Sequence, residues 1–241
     1  MRMPPRAPRI TILAVVLAMV GVPASSAMAG PVVRAGVEPA RLAPPGMQLS
    51  RVSVPARPGL PVRLVFTGDA GARVLVDVTV AASANEAQAA LARWRAHLGV
   101  DAVAVPDLGD VAYAAGGSIG LARDNVAVVV HALDDPSQPK SRGVDLDAGR
   151  ARQLADRADA AIAAAPRGNP RAAPLKVAVP ELPEGRPVRV EPAPGMLAAR
   201  LEVGGPATVR RDKTAFWLTR TGAGDVSIRV VAVDPGLRVS W

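Results

Sequence analysis

The chain has 241 residues, a formal net charge of +8 and no cysteine. The absence of cysteine excludes disulfide bonds, thiol catalysis, cysteine-ligated metals and lipid attachment at a cysteine. The positive charge suits an anionic partner, but the chain has only three Trp, two Phe and one Tyr and no block of five basic residues. We therefore do not expect it to bind nucleic acid.

The first 29 residues have the three-part pattern of a secretory signal peptide. A basic stretch, "MRMPPRAPR", precedes the apolar run "ITILAVVLAMVGV", and Ala27 and Ala29 then form an A-x-A cleavage site. The apolar run is shorter than the roughly 20 residues that span a bilayer. We predict cleavage after Ala29, a periplasmic or extracellular location, and no stable membrane anchor after cleavage.

Residues 30–61 form a proline-rich lead-in with one candidate strand, "LSRVSV". After it, "PVRLVFTG" and "ARVLVDVTVA" predict a β-hairpin. Alternation in the second run places its valines on a buried face and Arg73, Asp77 and Thr79 on a solvent face. This hairpin is the first element of the predicted folded body.

Two amphipathic helices are predicted, with short strands between them. Ser83 and Glu86 form a capping box for a helix over Ala84–Leu98, and we expect its Trp94 to face the core. The strands "VAYAA", "IGLAR" and "VAVVVHAL" follow, and a second helix is predicted over residues 147–165.

This order of elements predicts two domains. Residues 62–165 read as an α+β domain with both helices against one antiparallel sheet. Residues 166–174, "PRGNPRAAP", read as a linker. Residues 175–241 hold about seven short runs separated by turn residues, which predicts a small all-β immunoglobulin-like sandwich, although the Cys…Trp…Cys spacing of true immunoglobulin domains is absent.

The stretch "GGSIG" matches the G-x-S-x-G pattern around the nucleophile of many serine hydrolases. Ser118, Asp124 and His131 occur in an order that a catalytic triad could use. However, a nucleophile elbow needs a helix after the serine, whereas "IGLARDNVAVVVHAL" reads as strands in one small hairpin. We predict that Ser118 belongs to a glycine turn.

Metal sites are weakly supported by the sequence. His131 is followed by Asp134 and Asp135, but zinc sites generally use three or four firmly spaced ligands. Asp107 and Asp110 lie in a loop without the D-x-D-x-D-G pattern of calcium sites, so we expect them to cap backbone amides. We predict no cofactor and no bound metal.

One stretch carries a resemblance. The segments "LGDVAYA", "IGLARDNVAVVV" and "ARQLADRADAAI" resemble an arrangement in exported bacterial proteins of unknown function, with an LGD-x-A loop, an R-x-N hairpin and a packing helix. The resemblance covers residues 103–165. It implies a fold element and an envelope location, and no activity. The C-terminal part is likewise similar to bacterial immunoglobulin-like sandwiches.

The candidate partner surface lies in the C-terminal part. If Phe216 is buried, the alternation in "TAFWLTR" makes Trp217 point outward. Arg211, Arg220 and Arg229 are near it in the sequence or on neighbouring predicted strands, and an aromatic ring among guanidinium groups suits a partner protein or an anionic envelope component. The alternative is that Trp217 is structural.

These observations favour an exported, non-enzymatic binding or interaction protein of the bacterial envelope. The alternative is an envelope hydrolase or metal-assisted enzyme that uses Ser118 or His131.

Overall fold

The computed structural model describes residues 32–69, 72–98, 102–115, 117–131, 148–175, 181–191, 194–212 and 215–241. The predicted signal peptide, Asp134 and Asp135 lie outside the described residues. Residues 31–241 form one compact unit. Its helices and antiparallel sheets confirm the predicted α+β class. No helix in the described residues is long and apolar enough to cross a membrane.

The larger sheet has seven antiparallel strands in the order β1-β2-β3-β7-β6-β5-β4. They are β1 Gln48–Ser53, β2 Val62–Thr67, β3 Arg73–Val80, β4 Val103–Ala104, β5 Val111–Ala115, β6 Ser118–Arg123 and β7 Val126–His131. The predicted hairpin is confirmed as β2 and β3, and the predicted strand of the lead-in is β1. Strand β3 joins the two halves of the sheet by pairing with β7.

Three helices accompany this sheet: α1 Pro39–Leu42, α2 Ala84–Leu98 and α3 Ala148–Ala163. Helix α2 has the predicted bounds. One of the two bonds of the predicted capping box forms, since the amide of Glu86 donates to Ser83 Oγ at 3.3 Å. The Glu86 carboxylate accepts from the amide of Ala82 at 3.1 Å, one residue before Ser83.

Both α2 and α3 pack over the central strands β6 and β7, on opposite faces of the sheet. Val128 and Val130 face the α3 side and share a core with Leu154 and Ile162. Ala127 and Val129 point the other way and pack with Ala87 and Leu91 of α2. The sheet is thus covered on both sides, because successive residues of a strand alternate between faces.

The prediction that one face of β3 is exposed to solvent is wrong for the central part of the strand. Residues 74–78 are all buried, and Asp77 is only 7% exposed. The alternation itself is present, with Val74, Val76 and Val78 in the core on the α3 side. What the pattern did not reveal is that α2 and the loop before β2 lie on either side of Asp77 and shield it from solvent.

The C-terminal part contains two three-stranded antiparallel sheets, ordered β10-β11-β8 and β13-β12-β9. Their strands are β8 Val188–Val190, β9 Ala198–Gly204, β10 Ala207–Asp212, β11 Ala215–Arg220, β12 Ser227–Val233 and β13 Val239–Ser240. Both sheets contribute to one hydrophobic cluster, through Val190, Phe216 and Leu218 on one side and Leu201 and Ala232 on the other.

The chain end also reaches the core of the larger sheet. Val233 and Leu237 are buried in the cluster on the α3 side. Gly36 has a φ of +142° and lies so close to Gly236 that an added Cβ would be 2.4 Å from its carbonyl oxygen. The segment that we predicted as a linker is also hydrogen-bonded to an early part of the chain, since the amide of Gly168 donates to the carbonyl of Val33 at 3.0 Å.

Candidate functional site

A groove of about 820 Å³ lies on the α2 side of the larger sheet. Helix α2 covers β6 and β7 and leaves part of β2 and β3 uncovered on this face. One wall is α2, and the other is the end of the loop between β1 and β2. The apolar lining residues are Leu60, Pro61, Leu75, Ala90, Leu91, Trp94, Ala127 and Val129.

The groove contains one cluster of polar side chains from three neighbouring strands. Asp77 of β3 lies directly opposite Arg63 of β2, and the guanidinium donates two hydrogen bonds to the carboxylate, at 2.8 and 3.0 Å. His131, the last residue of β7, places its Nε2 3.0 Å from Asp77 Oδ2. The Asp77 side chain is 9% exposed and that of His131 13% exposed, whereas the Arg63 side chain is 43% exposed.

The electrostatics of this cluster favour the ionised carboxylate. Burial by itself would raise the pKa of Asp77, since the charged form loses hydration. The hydrogen bonds from His131 and Arg63, together with the charge of the guanidinium, outweigh that penalty and lower the pKa of Asp77 below its usual value. The groove therefore holds a fixed carboxylate whose charge is matched by its neighbours.

The predicted triad candidates are only partly brought together. The register pairs Ile119 with Val130, so Ser118 and His131, which are the next residues along β6 and β7, lie at the same end of the hairpin. Asp124 is in the turn at the other end, where it accepts a 2.7 Å bond from Arg34. His131 has Asp77 as its carboxylate instead.

Ser118 itself is not arranged as a nucleophile. It is the first residue of β6, so a strand follows it, as the sequence predicted, and no helix begins there. It is also a strand residue paired with Ala115 rather than part of the turn. Its exposure of 1% leaves it out of reach of a substrate.

The other sequence candidates have structural roles among the described residues. Asp110 Oδ2 accepts the amide of Asp124 at 2.7 Å, which is the capping role that we predicted. Asp107 adopts a φ of +59°, in the loop before β5. No group of three His, Asp or Glu side chains in the described residues is placed to hold a metal ion.

The arginines predicted around Trp217 do not surround it. Its cross-strand neighbours are Arg210 and Arg189, because the register of β8, β10 and β11 puts these three on one face. The guanidinium of Arg211 instead lies 5.9 Å from the ring centre of Phe216, on the opposite face.

The other two predicted arginines are held elsewhere. Arg220 donates to the carbonyls of Gly222 and Gly224 at 3.0 and 2.9 Å. Arg229 belongs to the other small sheet, where it lies 5.0 Å from the ring centre of Trp241. Strand alternation accounts for the separation of Arg211 and Arg220 from Trp217, and Arg229 is separated because its strand belongs to a different sheet.

Sequence reasoning missed Asp77 and its partners as a site. Part of the signal was present: a tight hairpin that pairs Thr67 with Arg73 must also pair Arg63 with Asp77. The third member, His131, depends on the pairing of β3 with β7 across an intervening helix and three strands, and no local pattern encodes that pairing.

No family model, curated protein or solved structure matches the chain. The groove and its polar cluster are therefore the basis for a functional proposal.

Proposed function

We propose that the protein is an exported, non-enzymatic binding protein of the bacterial envelope, located in the periplasm or outside the cell, whose ligand is a small molecule in the α2 groove. One observation carries this proposal: an apolar groove of about 820 Å³ contains a polar cluster in which Asp77 and His131 are largely buried and Arg63 is partly exposed. Small-molecule sites commonly have this volume and this combination of apolar walls with a few fixed polar groups.

The proposed location rests on the sequence of the first 29 residues. Their basic start, short apolar run and A-x-A site are typical of a cleaved signal peptide. The resemblance of residues 103–165 to exported bacterial proteins is consistent with the same proposed location.

We also propose that residues 175–241 form an immunoglobulin-like sandwich. Immunoglobulin sheets have the strand orders A-B-E-D and C-F-G. The orders β8-β11-β10 and β9-β12-β13 correspond to B-E-D and C-F-G if β8 is strand B. The predicted strand "LKVAV", where strand A would be, lies almost entirely outside the described residues.

The groove is tested with N-phenyl-1-naphthylamine, an uncharged probe that fluoresces in apolar surroundings. We expect saturable binding to the wild type. Ala90 lines the groove, so Ala90→Phe should fill it and abolish binding, whereas Ala92→Phe, on the exposed side of the same helix, should leave binding unchanged. No saturable binding by the wild type, or equal binding by both variants, would refute the proposal.

A hydrolase is the second candidate, and the contact of His131 with Asp77 is the observation that favours it. With Nε2–H donating to Asp77, Nδ1 of His131 could accept a proton from water as the water attacks an ester carbonyl. The imidazolium would return that proton to the departing alkoxide, leaving an acid and an alcohol.

This alternative is tested with p-nitrophenyl esters of several chain lengths. A hydrolase of this kind loses its activity in His131→Gln and keeps it in Ser118→Ala. Stoichiometric labelling of Ser118 by a fluorophosphonate would instead show that the serine is the nucleophile and that the non-enzymatic proposal is wrong.

A further inference from the structure

The groove is lined by more positively than negatively charged residues, and not all of the positive ones have a partner. Its lining includes three arginines, Arg57, Arg63 and Arg93, and one carboxylate, Asp77. Asp77 is engaged by Arg63 and by His131. Among the residues that the structure describes, no ion pair or hydrogen bond joins the side chain of Arg57 or Arg93 to another group. The groove therefore keeps two guanidinium groups without a counter-charge.

These two guanidinium groups lie at the rim of the groove. Arg93 is on α2 and Arg57 is on the loop between β1 and β2, so each of the two walls carries one of them. Both residues are exposed, whereas Leu75, Leu91 and Val129 beneath them are buried. The groove thus has an apolar floor and a cationic rim.

We propose that the ligand is a single-chain amphiphile with an anionic headgroup. This inference rests on the proposed binding function and specifies its ligand class. The alkyl chain packs on Leu75, Leu91 and Val129, and the headgroup accepts hydrogen bonds from Arg57 and Arg93. A carboxylate and a phosphate are both suited to this rim, since guanidinium donates to either with two parallel hydrogen bonds. A cationic headgroup would be repelled by the same side chains.

The binding energy is divided unequally between the two parts of such a ligand. The chain supplies most of the affinity, because burying each methylene strengthens binding by about fourfold. The arginines are solvated, so each is expected to change affinity by only about two- to fivefold. The headgroup therefore sets selectivity, and its contribution falls as salt screens the charges.

The experiment compares four ligands with the same dodecyl chain length: tridecanoate, dodecyl phosphate, dodecanol and dodecyltrimethylammonium. Each is titrated by calorimetry below its micelle concentration into the mature wild-type protein. We expect at least one anion to bind about tenfold or more tightly than the cation, with dodecanol between them. The carboxylate and phosphate arms distinguish a fatty acid from a lipid phosphate.

Three variants locate the headgroup. Arg57→Gln and Arg93→Gln should each weaken binding of the preferred anion by about two- to fivefold and leave N-phenyl-1-naphthylamine binding unchanged. Arg95→Gln is the matched control, since it removes the same charge from the same helix at a residue that does not line the groove.

Two outcomes would overturn the inference, and they differ in what else they overturn. In the first, the neutral probe binds saturably, but all headgroups bind with equal affinity or neither groove arginine affects binding. This result refutes the anionic headgroup and leaves the groove as a binding site. Failure of both the neutral probe and the amphiphiles to bind refutes the proposed function as well.

Discussion

Replacing Arg63 with methionine tests whether the polar cluster in the groove stabilises the fold. The substitution keeps most of the aliphatic stem and removes both hydrogen bonds to Asp77, which are 2.8 and 3.0 Å long. The carboxylate that is left behind is 9% exposed and has only His131 as a remaining partner in the cluster. A buried charge that loses a partner retains the cost of its desolvation.

The expected loss of stability follows from how far the side chains of Asp77 and Arg63 are exposed. A fully buried ion pair that loses one partner costs about 3–5 kcal/mol, and an exposed pair contributes about 0.2–1 kcal/mol. Asp77 is buried but Arg63 is 43% exposed, so solvent screens the pair in part. We expect Arg63→Met to lower the free energy of unfolding by about 2 kcal/mol at neutral pH. For a chain of this size that is a decrease in Tm of roughly 4–8 °C.

The assay is urea unfolding followed by tryptophan fluorescence. Arg41→Met is the control, because the Arg41–Glu38 pair spans 3.1 Å with side chains 51% and 66% exposed, and its loss should cost less than about 0.5 kcal/mol. In an Asp77→Asn background, Arg63→Met should cost less than about 1 kcal/mol. Equal losses for the two methionine variants, or an undiminished loss in the Asp77→Asn background, would refute the reasoning.

Three further predictions concern the same sheet. Since the pKa of Asp77 is lowered in the folded state, its ionised form stabilises the protein above the unfolded-state pKa of about 4, and acid titration from about pH 5 to 2 should reduce the stability advantage of the wild type over Asp77→Asn. Gly120→Ala should lower the free energy of unfolding by about 1–3 kcal/mol in urea melts, because its Cβ would be 2.6 Å from Leu91 Cδ1. Asn125→Ala should cost about 2–3 kcal/mol by the same measurement, because the buried amide bonds the backbone of Arg34 and Ala81.

Much of the fold could be predicted from local signals. The bounds of α2 follow from a capping box and an apolar period, and both are local in the chain. The buried face of α3, with Ala151, Leu154, Ala158 and Ile162, follows from the same period. Hairpins such as β2–β3 and β6–β7 follow from alternating runs and turn residues. In each case, one short stretch of sequence contains the whole pattern.

The candidate site could not be predicted in the same way. Asp77 was assigned to a solvent face because hydrophobic alternation does not reveal what covers the polar side of a strand. The pairing of Arg63 with Asp77 could have been worked out from the register of the predicted hairpin. The contact of His131 with Asp77 depends on the long-range pairing of β3 with β7. The Trp217 surface shows the reverse error, since residues close in sequence were grouped although the register separates them onto different faces.

The position of the groove follows from where small residues occur in the sheet. On the α2 side, β6 and β7 present Gly120, Ala122 and Ala127, and α2 approaches so closely there that Gly120 leaves no room for a Cβ beneath Leu91. The neighbouring strands β2 and β3 present Arg63, Leu75 and Asp77 on the same face, and the helix lies mainly over β6 and β7 rather than over them. The space left beside the helix is the groove, and an ionisable group on its floor, such as Asp77, is largely desolvated. A carboxylate can remain ionised there only with cationic partners, which is why the polar cluster and the apolar groove occur at the same place.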